Sequence, residues 1–233
     1  CYFRGPIEFV HPNMQATFNQ RELGADFDTF PNALRAALRQ APKVILVGEM
    51  RDRQTLEIGL KAAETGHLVI STLHTVDAGQ TINRIVGMFD KDEEEQIRIR
   101  LSETLRWVIC QRLLKKEGGG RVACHEIMGS NLRTVELIQQ GEDETKTYFS
   151  VISASEALGW KTFEASFLDA YKKNEISEEN AILYSTRKNI IRQKIDYVKS
   201  EKGKDTSDIK ELKVDENYQK QIERELFKKT GPS

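Results

Sequence analysis

The chain has 233 residues, 39% hydrophobic and 30% charged, enough for one sizeable domain or two small ones with a real core. Lys plus Arg (35) and Asp plus Glu (36) cancel to a formal charge of −1, which argues against a nucleic-acid module that works by bulk positive charge. Uninterrupted apolar runs reach only pieces such as Val44-Ile45-Leu46-Val47; a membrane span needs about twenty residues, so no transmembrane segment is expected.

The first thirty residues carry Gly5, Pro6, Pro12 and Gly24 and read as a strand end followed by an exposed loop. Pro31 sits where a helix favours its first turn, and Ala33, Leu34, Ala37 and Leu38 give a short amphipathic helix that Pro42 ends. Lys43–Gly48 is an apolar run without alternation, as expected of a strand covered on both faces. Residues 53–65 are good helix formers closed by Gly66, in the position a left-handed cap prefers. His67–Leu73 reads as a second buried strand. Asp77 is expected to cap a helix to about Met88, and Asp92 to begin a longer one to about Leu114. Strand, helix, strand, helix at this spacing implies an α/β fold with a parallel sheet.

A hairpin is then expected, turning through Gly118-Gly119-Gly120 into Arg121–Met128. From Leu132 onward the pattern is helical: Leu132–Gln140, Phe149–Leu158, Phe163–Lys173, Glu178–Tyr184 with Ser177 as N-cap, and Thr186–Lys199. Beyond Ser200 the chain is charged, reading as a linker and a terminal helix from Asp215 to Lys229. The expected division is therefore 1–130, an α/β core; 131–199, a helical carboxy-terminal subdomain; and 200–233, a charged tail. Cys1, Cys110 and Cys124 are odd in number with no C-x-x-C spacing, which fits a reducing compartment. A lipidated Cys1 is disfavoured because Tyr2-Phe3-Arg4 offers no flexible tether, and a chain starting without Met is expected to be part of something longer.

Two segments carry candidate chemistry. Gly48-Glu49-Met50-Arg51-Asp52 places an acid at the carboxyl end of a buried strand, where open α/β sheets bind ligands and phosphoryl-transfer enzymes hold a metal shell or orient water; a solvated strand-end acid is the plainer alternative. In Gly66–Thr75, His67 and His74 are seven apart, so along one extended strand they face opposite sides, roughly 23 Å apart at ~3.3 Å per residue, and cannot share a metal. His74, with Thr72 and Thr75, falls at the same sheet edge as Glu49; His67 falls at the other end, where capping or packing is expected. Cys124-His125-Glu126 lacks a second ligand pair for zinc. Gly141–Thr147 ends like a phosphate loop, but its acids would repel phosphate. No G-x-x-x-x-G-K-[ST] occurs in the chain.

Taken in order, Asn32–Arg39, Val44–Asp52 and Ala62–Thr75 closely resemble the secretion-superfamily ATPases, most closely the PilT-type motors that retract type IV pili, and the resemblance continues through Thr81–Ile85, Leu101–Arg106 and Gly118–Ala123. A four-cysteine insertion usual in extension and type II secretion motors is missing. The resemblance implies a partial RecA-like parallel-sheet ATPase core followed by a helical region. It makes Glu49 the Walker B glutamate that polarises water, with Gly48 where other P-loop enzymes place Asp. It makes His67 to His74 the His box, with His74 near the γ-phosphate or a subunit interface, and Glu8 the last carboxylate of the Asp box. Thr72, Arg51 and Arg84 fall in matching motifs as phosphate-sensing, interface or switch residues, and no side chain binds metal directly.

The implied protein is a hexameric motor, cytoplasmic and peripheral to the inner membrane, using ATP and Mg²⁺ with a pilus platform protein as partner. This chain by itself is expected to be inactive without the Walker A loop. Arg4-Gly5 stands where the family has Glu-Asp, and of the family's Ala-Ile-Arg-Asn-Leu-Ile motif only Leu137 and Ile138 survive within Arg133–Ile138. Pilus extension, type II secretion and a non-catalytic oligomerisation or docking module are the alternatives.

Overall fold

The computed structural model describes residues 1–201. Its centre is a four-stranded, all-parallel sheet in the order β2-β1-β3-β4, built from β1 (Tyr2–Arg4), β2 (Gln20–Glu22), β3 (Val44–Val47) and β4 (Leu68–Ser71). The opening segment therefore holds two short strands where one strand end and a loop were expected. Gln20-Arg21-Glu22 has no apolar member to announce a strand; its pairing with β1 makes it one.

Each crossover helix begins at a side-chain cap. Thr29 accepts from Asn32 N–H ahead of α1 (Phe30–Leu38), with Pro31 in the first turn. Asp52 takes both the backbone N–H and the hydroxyl of Thr55, at 2.8 and 2.6 Å, starting α2 (Arg53–Glu64), which Gly66 closes at φ +91°. Asp77 caps α3 (Ala78–Val86) through Gln80 N–H. Such caps each contribute about 1 kcal/mol, but burial dominates. Leu34, Ile45 and Ile82 are fully buried, and truncating one such residue costs about 2–5 kcal/mol, whereas a surface ion pair such as Lys61–Glu57 is worth about 0–1.

The expected long helix to Leu114 is corrected. α4 (Glu94–Thr104) stops, and Trp107–Lys115 is β5, paired antiparallel over its whole length with β6 (Arg121–Gly129). Ile97, Leu101, Leu105 and Val108 keep helical spacing in the sequence, but β5 alternates exposed Trp107 and Ile109 with buried Val108 and Cys110, the two-residue period of a strand with one covered face. The glycine turn does join β5 and β6: Gly118, Gly119 and Gly120 all have positive φ, between +78° and +107°, which other residues rarely adopt.

A second correction concerns β4. It is an edge strand among the described residues, and Leu68 and Ile70 are exposed rather than buried. In β3, Ile45 and Val47 are fully buried while Val44 is exposed.

The helical part matches closely. α5 (Leu132–Gln140) and α8 (Glu178–Tyr184, capped by Ser177) have the expected bounds, and α7 (Phe163–Lys172) and α9 (Lys188–Glu201) differ at their ends. The helix expected over Phe149–Leu158 is divided into α6 (Tyr148–Ser153) and a short 3₁₀ turn, Glu156–Leu158. Leu137 and Ile138, the retained pair of the family motif, are buried, whereas Arg133 and Glu136 are exposed. The expected tail linker lies outside the described residues except for Glu201, which ends α9; the terminal helix lies outside them entirely.

Candidate functional site

Parallel strands share one carboxyl edge. The register Val47↔Ser71 in β3 and β4, and Phe3↔Val47 in β1 and β3, brings Arg4, Gly48-Glu49 and Thr72 to one rim. The strand tips are tied together: Gly48 N–H donates to Phe3 O at 2.7 Å, Met50 N–H to Thr72 O at 3.4 Å, and the Thr72 hydroxyl to Gly48 O. Thr72 is thus committed to the scaffold. Gly48 is glycine for lack of room: a Cβ there would lie 2.9 Å from Arg4 Cγ and 3.2 Å from Phe3 O.

Glu49 is the centre of the rim. Its Oε2 accepts from Arg51 Nε at 2.5 Å and lies 3.4 Å from His74 Nε2. Oε1 has no hydrogen-bond partner among the described residues. Both Arg51 and His74 are well exposed, while Glu49 is about a quarter exposed. His74 is itself held from behind, because Arg84 on α3 donates to its carbonyl oxygen at 3.1 Å. Glu49, His74, Arg51 and Arg84 therefore form one constellation.

Other expected site residues lie elsewhere. His67 precedes β4, at the opposite end from the rim, and its Nδ1 faces Ala62 O at 3.1 Å and the Thr65 hydroxyl at 3.2 Å, closing the last turn of α2. It takes no part in the rim, because the parallel direction of β4 carries the two ends of the His box apart. Glu8 is exposed and pairs with Arg4 at 2.7 Å, whose side chain lies against Gly48 at the rim. Arg4 was not singled out from sequence, since its seat over Gly48 depends on β1 lying beside β3.

A buried acid supports the rim from below. Glu126 on β6 is 3% exposed and accepts from Ala78 N–H at 2.9 Å at the start of α3, the helix that carries Arg84. Burial pushes the Glu126 carboxyl above the ordinary carboxylate range, against the opposing pull of the Ala78 N–H. Its neighbours give no zinc site: Cys124 is buried and His125 faces Gln111. The acidic loop ending in Lys146-Thr147 is a turn in which Asp143 accepts from the Thr145 and Lys146 N–H groups. Among the described residues no group of three or more His, Cys, Asp or Glu could hold a metal ion. Nor is any helix among them long and apolar enough to cross a membrane.

This parallel α/β sheet, with an acid and an imidazole at neighbouring strand tips, is a RecA-like core. Residues 6–177 match the family model described as "Type II/IV secretion system protein", and the chain belongs to that family. It is 48% identical over 176 residues to the type IV pilus retraction ATPase PilT of Pseudomonas aeruginosa, covering 76% of this chain and 51% of that protein. It is 46% identical over 177 residues to a twitching motility protein of Neisseria gonorrhoeae, covering 76% and 47%. Among solved structures it is similar to the pilus retraction motor PilT with bound ADP, with a TM-score of 0.69 and 42% identity over 79% of this chain and 52% of that one. The chain spans about half the length of the relatives it matches.

Proposed function

We propose that the chain is the part of a type IV pilus retraction ATPase that supplies the water-orienting acid and the phosphate sensor, acting in a homo-oligomeric ring, a hexamer in the manner of the family. The observation that carries this reading is the 3.4 Å approach of His74 Nε2 to Glu49 Oε2 at one sheet rim. The names borne by the PilT and twitching relatives support it.

Phosphoryl transfer needs charge neutralisation on the phosphates and an oriented nucleophile. Arg51 and His74 hold one oxygen of Glu49, leaving the other to accept a hydrogen bond from the attacking water and take its proton. His74 is placed to report the terminal phosphate to Arg84 and α3 through the bond at its carbonyl. Arg51 and Arg84 act at a subunit interface or as switch residues, Gly48 and Thr72 set the geometry, and Glu8 lends charge through Arg4. Mg²⁺ bound with ATP would supply charge neutralisation on the phosphates. The phosphate cradle must come from a Walker A loop, which this chain's sequence does not contain.

In this reading residues 1–130 form the partial ATPase core, 131–199 a helical subdomain and 200–233 an appended tail. The partner is a platform protein at the cytoplasmic face of the inner membrane, and the output is twitching motility.

Calorimetry tests the division of labour. This chain by itself should show negligible ATP affinity. A chimera joining the P-loop-containing amino-terminal half of the Pseudomonas PilT to residues 6–201 should bind and hydrolyse ATP. Micromolar binding by the chain alone contradicts the proposal. A folded chimera that binds ATP without turnover favours the docking-module alternative.

A further inference from the structure

The segment that carries His74, between β4 and α3, lies outside strand and helix. Its local ties are the Thr75 N–H bond to Leu73 O at 3.0 Å and the contact of the Thr75 and Thr81 hydroxyls at 2.7 Å. Two of its carbonyls are held from further away. Arg84 donates to His74 O, and Arg112 on β5 donates through Nη2 to Val76 O, both at 3.1 Å. Peptide planes are rigid, so with both carbonyls pinned only the backbone dihedrals of Thr75 and Val76 lie between the two anchors.

Arg84 belongs to α3, the helix this segment leads into, whereas Arg112 joins the segment to a separate part of the fold. Its Nη1 donates to the carbonyl of Tyr184, the last residue of α8, one of the helix-end carbonyls that lack a partner inside the helix. Its guanidinium carbon lies 4.2 Å from the centre of the Phe163 ring, at the start of α7. Ser185, the residue after Tyr184, donates to the buried Glu164 of α7 at 2.9 Å, so the acceptor at the end of α8 is itself fixed. Arg112 thus spans two carbonyls on different elements with an aromatic face against it. A planar guanidinium suits this place, because its terminal nitrogens form a rigid fork and its face stacks on a ring. A lysine ammonium, a hydrated point charge, lacks the fork.

We propose that Arg112 is a positioning residue for the rim: by holding the carbonyls of Val76 and Tyr184 in one fork, it fixes the seat of His74 beside Glu49 from helices α7 and α8. Arg112 acts only through His74, and a misplacement of ~1 Å at a reacting site is enough to cost rate. This inference rests on the reading of Glu49 and His74 as the groups that face the phosphate.

NMR of the histidine rings in the full 233-residue chain tests it. The His74 signals are identified by their loss in His74→Asn. In the otherwise unsubstituted chain, Glu49→Gln should move them, because it removes a charge 3.4 Å from Nε2. In an Arg112→Lys background that response should be lost, while a cooperative thermal melt shows the fold intact. A response that survives in the Arg112→Lys background overturns the role of Arg112 alone. No response in either background overturns the Glu49–His74 contact, and this inference with it. Should Arg112→Lys fail to fold, the unsubstituted chain decides. Nη1 and Nη2 of Arg112, each on its own carbonyl, should give separate nitrogen signals, and a single averaged signal overturns the proposal.

Discussion

His74 Nε2 stands 3.4 Å from Glu49 Oε2, a side-chain contact between the tips of two neighbouring parallel strands. The contact is not a strong stabilising bond, since His74 is 75% exposed and such pairs are worth little in water. Its consequence is positional: it fixes where an imidazole sits relative to an acid at a ligand-binding rim. In the PilT chimera, His74→Ala is therefore expected to lower turnover about tenfold, the effect of losing one partly solvated polar contact to the transition state, while ATP affinity changes little. Single-turnover hydrolysis measured beside equilibrium binding separates the two.

Glu126 makes stability fall with rising pH. Its carboxyl is raised in the folded state by burial, so the native chain holds that proton more tightly than the unfolded one. The associated stability is fully present below the ordinary carboxylate value and is lost as pH climbs through the folded value. Glu126→Gln keeps an oxygen for Ala78 N–H and removes the titration. The variant should melt at or above the wild-type temperature near pH 7, and that advantage should vanish near pH 4. Thermal melts at both pH values check this; a Gln variant less stable at neutral pH contradicts it.

The thiols should divide by burial. Burial, with the nearby Glu126 charge, pushes Cys110 up to about 11, and burial also raises Cys124; both side chains are buried, whereas Cys1 is half-buried. A disulfide reagent near pH 8 should modify Cys1 quickly, and Cys110 and Cys124 only after denaturant is added. Mass spectrometry of the labelled peptides gives the order.

Much of this was legible in the residues. Asp77 and Ser177 announce their helices because a short acceptor side chain satisfies free N–H groups locally. Glu49 and His74 could be assigned to one rim because two strands joined by a helix must run parallel. What failed depends on distant partners. Trp107–Lys115 pairs with Arg121–Gly129 as a strand, and although Trp107-Val108-Ile109 suit a strand, the helical apolar spacing shared with α4 conceals the break. Leu68 and Ile70 look like buried-strand residues, yet lie on an edge with no neighbouring strand among those described. The seat of Arg4 over Gly48 likewise needs β1 beside β3.

The most direct measurement is ATP turnover and ATP binding by the chimera with Glu49 and with Glu49→Gln. The Gln side chain can occupy the same place beside His74 but cannot take a proton from water, so binding should persist while turnover falls about a hundredfold or more. A Glu49→Gln chimera that hydrolyses ATP at the unsubstituted rate would contradict the account.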